Sequence, residues 1–171
     1  MPPPSDLRPM LPAAHRLVDA GPAAPPSARP VPGLLASAER HLRIGTPAEL
    51  ADATTRSHLD DGRCVGWYGP PVPGWRVAVD AERADAPVPP ALARRFGAGD
   101  FWARWTRAEC CCKLADVPIA TWWRRHGLGT PVDGTILWRT LRVADLVVTI
   151  GLAPGSSPAQ QRQPGPAQPR G

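Results

Sequence analysis

Proline most constrains what this chain can fold into, because it fixes φ, removes a backbone donor and breaks helices and central strands. The 24 prolines are unevenly placed. Ten fall in residues 1–33 and five in residues 153–171, against nine in the 119 residues between. All seven Trp, both Phe and the single Tyr lie between Trp67 and Trp138. Segments rich in proline and free of aromatic residues bury too little apolar surface to offset their ordering entropy. The expected layout is a disordered Pro-rich tail over 1–33, an ordered domain over 34–152 and a disordered Pro/Gln-rich tail over 153–171.

The same division changes the meaning of the charge. The net charge is +5, but residues 34–152 hold 15 Lys+Arg against 13 Asp+Glu, a net of +2, so the tails supply the rest. A nucleic-acid footprint needs clustered cations. Only Arg94-Arg95 and Arg124-Arg125 cluster, so nucleic-acid binding is not expected. No apolar run approaches the roughly 20 residues of a membrane span. The start, Met1-Pro-Pro-Pro-Ser-Asp, has no apolar segment behind a basic one, so a cytoplasmic, membrane-free protein is expected. Cys110, Cys111 and Cys112 are consecutive and Cys64 is distant, a spacing that suits neither a disulfide framework nor a zinc site. Small apolar packing on a helix is their expected role.

The middle of the chain punctuates itself. Leu34, Leu35, Ala38 and Leu42 share a helical face, and Thr46-Pro47 reads as an N-cap with proline at the first helical position. Asp60-Asp61-Gly62 is a turn, followed by strand composition over 63–68 and, after the loop 69–74, a second strand over 75–82. The two read as an antiparallel pair, with Val77 and Val79 on one face and Ala78, Asp80 and Glu82 on the other. Pro89-Pro90 opens a short helix that Gly97 breaks, and Asp100 reads as the N-cap of a long helix over 101–116. On that helix Trp102, Trp105, Glu109 and Lys113 share a face. A short helix carries Trp122-Trp123-Arg124-Arg125-His126. The Trp pair is expected in or against the core, with docking of a partner as the alternative. The Arg pair reads equally as solvated or as a contact for an acidic partner or a phosphate, and His126 as a helix C-terminal residue. Asp133 is a turn residue, and late strands are expected at 136–138 and 143–150.

Three carboxylates stand out. Asp80 and Glu82 share the face of a strand end, and Glu109 lies on the following helix. If the helix packs on the strand they converge, and like charges held close raise each other's pKa unless a cation neutralises them. Hard oxygen ligands with room for water suit Mg²⁺ and a phosphorylated substrate, with Lys113 one turn beyond Glu109 to meet a phosphate oxygen. The plainer alternative is a solvated strand end beside an i,i+4 salt bridge.

These segments resemble a known family. Val77-Ala-Val-Asp80-Ala-Glu82 is similar to the (G/A)-(V/I)-D-x-E motif of 4'-phosphopantetheinyl transferases, and Trp105-Thr-Arg-Ala-Glu109-Cys-Cys-Cys-Lys113 to their W-(S/T)-x-K-E-(A/S)-x-x-K motif. Ser57-His58 resembles the S-H pair upstream of the first. The resemblance covers residues 54–152 and implies an α+β fold, a twisted antiparallel sheet packed against one long helix. It implies Mg²⁺-dependent transfer of the phosphopantetheine arm of coenzyme A to a serine of an acyl or peptidyl carrier protein. It further implies that Asp80, Glu82 and Glu109 bind the metal, that Glu109 is the base and that Lys113 stabilises the pyrophosphate or leaving phosphate. His58 and Ser57 would meet the 3'-phosphate of coenzyme A. The chain departs from the pattern at Ala108, where the motif has Lys, and in the short segment between the motifs. A shortened pseudo-dimer, or a single lobe completed as a homo-oligomer, would account for its length. A degenerate homologue that binds a carrier or coenzyme A without transfer is the alternative, and a small Arg-rich interaction protein a weaker one.

Overall fold

The structure, a computed structural model, describes residues 30–130 and 134–155. The expectations of disorder over 1–29 and 156–171, and of a turn at Asp133, lie outside the described residues. In chain order the elements are α1 (Pro30–Ala36), a 3-10 turn (Ala38–His41), β1 (Leu42–Gly45), β2 (Thr55–His58), β3 (Cys64–Trp67) and β4 (Trp75–Arg83). They continue with α2 (Pro90–Phe96), α3 (Phe101–Ala115), α4 (Ile119–His126), β5 (Leu137–Val143) and β6 (Leu146–Pro154). α1 begins before residue 34 and β6 ends after residue 152, so the elements overrun the expected domain limits at both ends.

The expected α+β class with antiparallel pairing and one long helix across a sheet is present, but the single sheet is two. β3 lies between β1 and β2 in one, and β6 lies between β4 and β5 in the other. The strands over 64–67 and 75–83 are therefore not partners: β3 pairs with its neighbours β1 and β2, while β4 runs antiparallel to β6 with Asp80 opposite Thr149. The loop from Gly69 to Gly74, with its three prolines, carries the chain from one sheet to the other.

β6 explains the layering. Its large residues Leu146, Val148, Ile150 and Leu152 face the first sheet and α1, forming one core with Val65 and Trp67 of β3, Val31 and Leu34 of α1 and their neighbour Val79 on β4. Its opposite face carries small residues, and there α3 docks: Ala78, Ala153, Cys110 and Leu114 form one cluster. Thr106 and Thr149 share a buried hydroxyl contact at 2.8 Å. Alternation thus gives β6 one bulky and one flat face, and the flat face lets the helix come close. At Gly151 an added Cβ would lie 2.9 Å from Leu114 Cδ1 and 3.6 Å from Cys110 Cβ. Gly151→Val is accordingly expected to destabilise the fold by about 1–3 kcal/mol, read as a lower urea midpoint with unchanged slope.

The cysteines pack as expected: Cys64, Cys110, Cys111 and Cys112 are free and buried. A second core joins α3 to α4 through Phe101, Ala108, Cys111, Cys112, Trp122 and Leu128. Trp122 is buried within it and Trp123 packs against Phe96 and Trp105.

Three local expectations change. Residues 42–45 form an edge strand, not a helix. Thr46 and Glu49 do make a reciprocal capping box, with the Thr46 amide donating to the Glu49 carboxylate at 2.7 Å and the Glu49 amide to Thr46 Oγ1 at 3.3 Å. It closes a run of turns with no helix behind it. Asp100 stands before α3 but in the left-handed region (φ 48°) and makes no side-chain cap, while the first helical amide donates to Ala98 O. Finally, the expected strands at 136–138 and 143–150 are one hairpin, β5 and β6, turning at Ala144-Asp145.

Candidate functional site

α3 runs antiparallel alongside β4, so its shared face meets β4 and the residues just after it. The Trp102 indole donates to Ala86 O at 2.7 Å, Trp105 lies close enough to Glu82 to favour its carboxylate, and Lys113 Nζ donates to Asp80 Oδ1 at 2.8 Å and to Val79 O at 2.9 Å. The plain reading of an i,i+4 pair between Glu109 and Lys113 does not hold. Lys113 turns inward, and its ion pair is with Asp80.

Asp80 is the centre of the site. It is buried, and Ser57 Oγ donates to the same oxygen at 3.1 Å while accepting the Ala81 amide at 3.1 Å. Oδ1 therefore carries two donors. Oδ2 is buried and has none. Burial pushes the Asp80 carboxyl upward against the opposing pull of Lys113 and Ser57. On Lys113 burial pulls down, but the charge and hydrogen bond of Asp80, with Cys110 and Glu109, outweigh it and the net direction is up.

The two glutamates belong to the same electrostatic neighbourhood. Burial raises Glu82 to about 7, reinforced by Asp80, Asp60 and Glu109 and opposed by Trp105. Burial also raises Glu109, with Asp80 adding to it and Lys113 opposing. Glu109, Cys112, Lys113, Val117 and Ile119 line a groove of about 440 Å³ beside the cluster.

The structure thus brings Asp80, Glu82, Glu109 and Lys113 together and leaves the S-H pair divided. Neighbouring strand residues face opposite ways, so Ser57 is buried against Asp80 while His58 is exposed. Ser57 is not placed to meet a phosphate; it orients Asp80. Ala108 is fully buried in the α3–α4 core, where a lysine would have no room for its charge. Arg107 does not replace it, because its guanidinium lies 3.9 Å above the Trp138 ring, toward β5. Asp60 was legible only as a turn residue. Its influence on Glu82 depends on the β2–β3 turn reaching β4, which no local pattern encodes.

Among the described residues, no group of three His, Cys, Asp or Glu is arranged to hold a metal ion. A closed cage of Asp80, Glu82 and Glu109 is therefore not what the fold builds. The unpartnered Asp80 Oδ2 and two half-buried glutamates do fit a hard cation that takes one or two carboxylates and fills its shell with water and phosphate oxygens, as Mg²⁺ does.

Comparison with protein-family models, with curated proteins and with solved structures finds no match for this chain. No helix of the described residues is long and apolar enough to cross a membrane.

The raised carboxylates set the sign of a pH effect. A Glu82 that titrates near 7 when folded and near 4.5 when unfolded binds more protons in the folded state between those values. Its contribution is present below about pH 4.5 and is lost as pH rises to 7. Without divalent cation, stability should fall across that window, by about 1–2 kcal/mol for a half-buried group. Glu82→Gln should flatten the slope in urea midpoints measured from pH 4.5 to 7.5.

Proposed function

We propose that this protein transfers the 4'-phosphopantetheine arm of coenzyme A to a serine of an acyl or peptidyl carrier protein, with Mg²⁺. The observation that carries the reading is that β4 and α3 bring Asp80, Glu82, Glu109 and Lys113 into one electrostatic neighbourhood, with Asp80 Oδ1 paired to Lys113 and Oδ2 left without a partner. These are the residues on which the resemblance to the transferases rests. A solvated strand end would show none of this burial.

In the reaction the serine oxygen bonds to the phosphorus that bears the pantetheine arm. The pyrophosphate P–O bond breaks, and 3',5'-ADP leaves. Bound Mg²⁺ would supply charge neutralisation on the diphosphate, held by Asp80 with Glu109 or Glu82. Glu109 takes the serine proton onto its carboxylate, and its upward shift brings it closer to the working range of a general base. Ser57 holds Asp80 in place. Lys113 supplies the ammonium nearest the reacting phosphates, and the exposed His58 is free to meet the 3'-phosphate.

One observation favours a second reading, a homologue that binds coenzyme A or a carrier without transfer. Ala108 is sealed in a core, so the motif's first lysine has no counterpart. Mass spectrometry of apo carrier proteins incubated with the protein, coenzyme A and Mg²⁺ separates the two. A phosphopantetheine mass increment supports transfer. Retained coenzyme A binding without any increment supports the second reading, and loss of both overturns both.

A further inference from the structure

We infer that Lys113 is the resident counter-ion of Asp80 and competes with the divalent cation for it, so that cation binding releases Lys113 to an anionic ligand. The inference rests on the proposed metal site. It stands on the division of labour at Asp80. Lys113 and Ser57 crowd Oδ1, at 2.8 Å and 3.1 Å. Oδ2, in the same buried carboxylate, has no partner, so it is the oxygen left to a cation once the side chains over it part. An ammonium and a divalent cation on one carboxylate repel each other at short range. Lys113 has few ties elsewhere: Val79 O at 2.9 Å takes a second of its three donors. Lys113 and Glu109 both line the groove beside the cluster, so a turn of the Lys113 side chain away from β4 would offer its ammonium to an anionic ligand held there. Phosphate binding and cation binding then favour each other through one side chain, and by linkage the effect is reciprocal.

Lys113 is the only lysine in the chain, so the claim is directly visible. Protein grown with ¹⁵N,¹³C-lysine gives one side-chain ammonium signal. Titration with Mg²⁺ alone should move it saturably from its ion-paired position. Asp80→Asn should abolish the ion-paired position and the response together. Lys113→Gln should bind Mn²⁺, followed by electron paramagnetic resonance without any phosphate, about tenfold tighter than the wild type. Lys113→Arg, which keeps the charge, should not. A lysine signal that Mg²⁺ leaves unmoved, or a Lys113→Gln protein with equal or weaker Mn²⁺ affinity, overturns the inference. If Lys113→Gln does not fold, the wild-type titration decides alone. The result is separable from transfer: a moving signal with no carrier modified leaves the inference standing and the transferase reading fallen, and a modified carrier with an unmoved signal does the reverse.

Discussion

Glu109→Gln should lower phosphopantetheine transfer by about 10²–10⁴-fold, the range of a lost general base, without loss of stability. The substitution keeps the volume and the amide's capacity to accept a hydrogen bond, but removes the proton acceptor and one anionic cation ligand. Because Glu109 is itself held up by burial and by Asp80, removing its charge relieves repulsion, and the urea midpoint near pH 7 should be unchanged or raised. The measurement pairs carrier modification by mass spectrometry with denaturant unfolding. Full activity in Glu109→Gln would refute the assignment of the base. A loss of activity accompanied by unfolding would show the residue to be structural.

Phe101→Ala should strongly destabilise the fold. Phe101 is 2% exposed at the first position of α3, with its ring centroid 4.9 Å from Trp102 and 5.6 Å from Trp105. It joins the core that ties α3 to α4. Truncating a buried phenylalanine costs about 3–5 kcal/mol, which shifts the melting temperature by at least about 10 °C in a domain of this size. A total stability of about 5–15 kcal/mol leaves little margin. Calorimetry gives the shift directly, and a change under about 3 °C would mean that the aromatic cluster rearranges to fill the space. The site would feel the loss as well, since the same helix carries Glu109 and Lys113.

Much of the framework was legible because it is written in local chemistry. The alternation in residues 75–82 assigned Val79 to one face and Asp80 to the other, and β4 keeps that assignment. The spacing of Trp102, Trp105 and Lys113 placed them on one face of α3; Lys113 finds β4 at Asp80 and Val79, Trp105 lies near Glu82, and Trp102 reaches the chain just beyond the strand at Ala86. What failed depends on distant partners. Leu42 to Gly45 became a strand because Trp67 to Cys64 lay free to pair with it, a tertiary choice over a weak helical pattern. The capping box at Thr46 was recognised, but a helix needs an apolar face to bury and none follows. Ser57 read as a ligand contact from its neighbour His58, whereas strand alternation alone argues that the two cannot face the same group. Lys113 read as a partner of Glu109 through helix spacing. The buried Asp80 won it, because an uncompensated carboxylate in an apolar setting costs far more than an exposed pair gains.

The place of β6 in its sheet has a bearing on synthesis. β6 is the last strand of the described residues, and it is the central one, with β4 and β5 both hydrogen-bonded to it and not to each other. During translation β4 emerges long before its only ladder partner, and it waits with both edges open and with Asp80 unburied. α3 likewise has only part of its dock until Thr149, Gly151 and Ala153 arrive. Closure of the second sheet, burial of Asp80 and alignment of the acidic cluster are then one late event, set by the final strand's exit from the ribosome. A chain released before β6 is complete would carry every candidate catalytic residue and still present none of them in register.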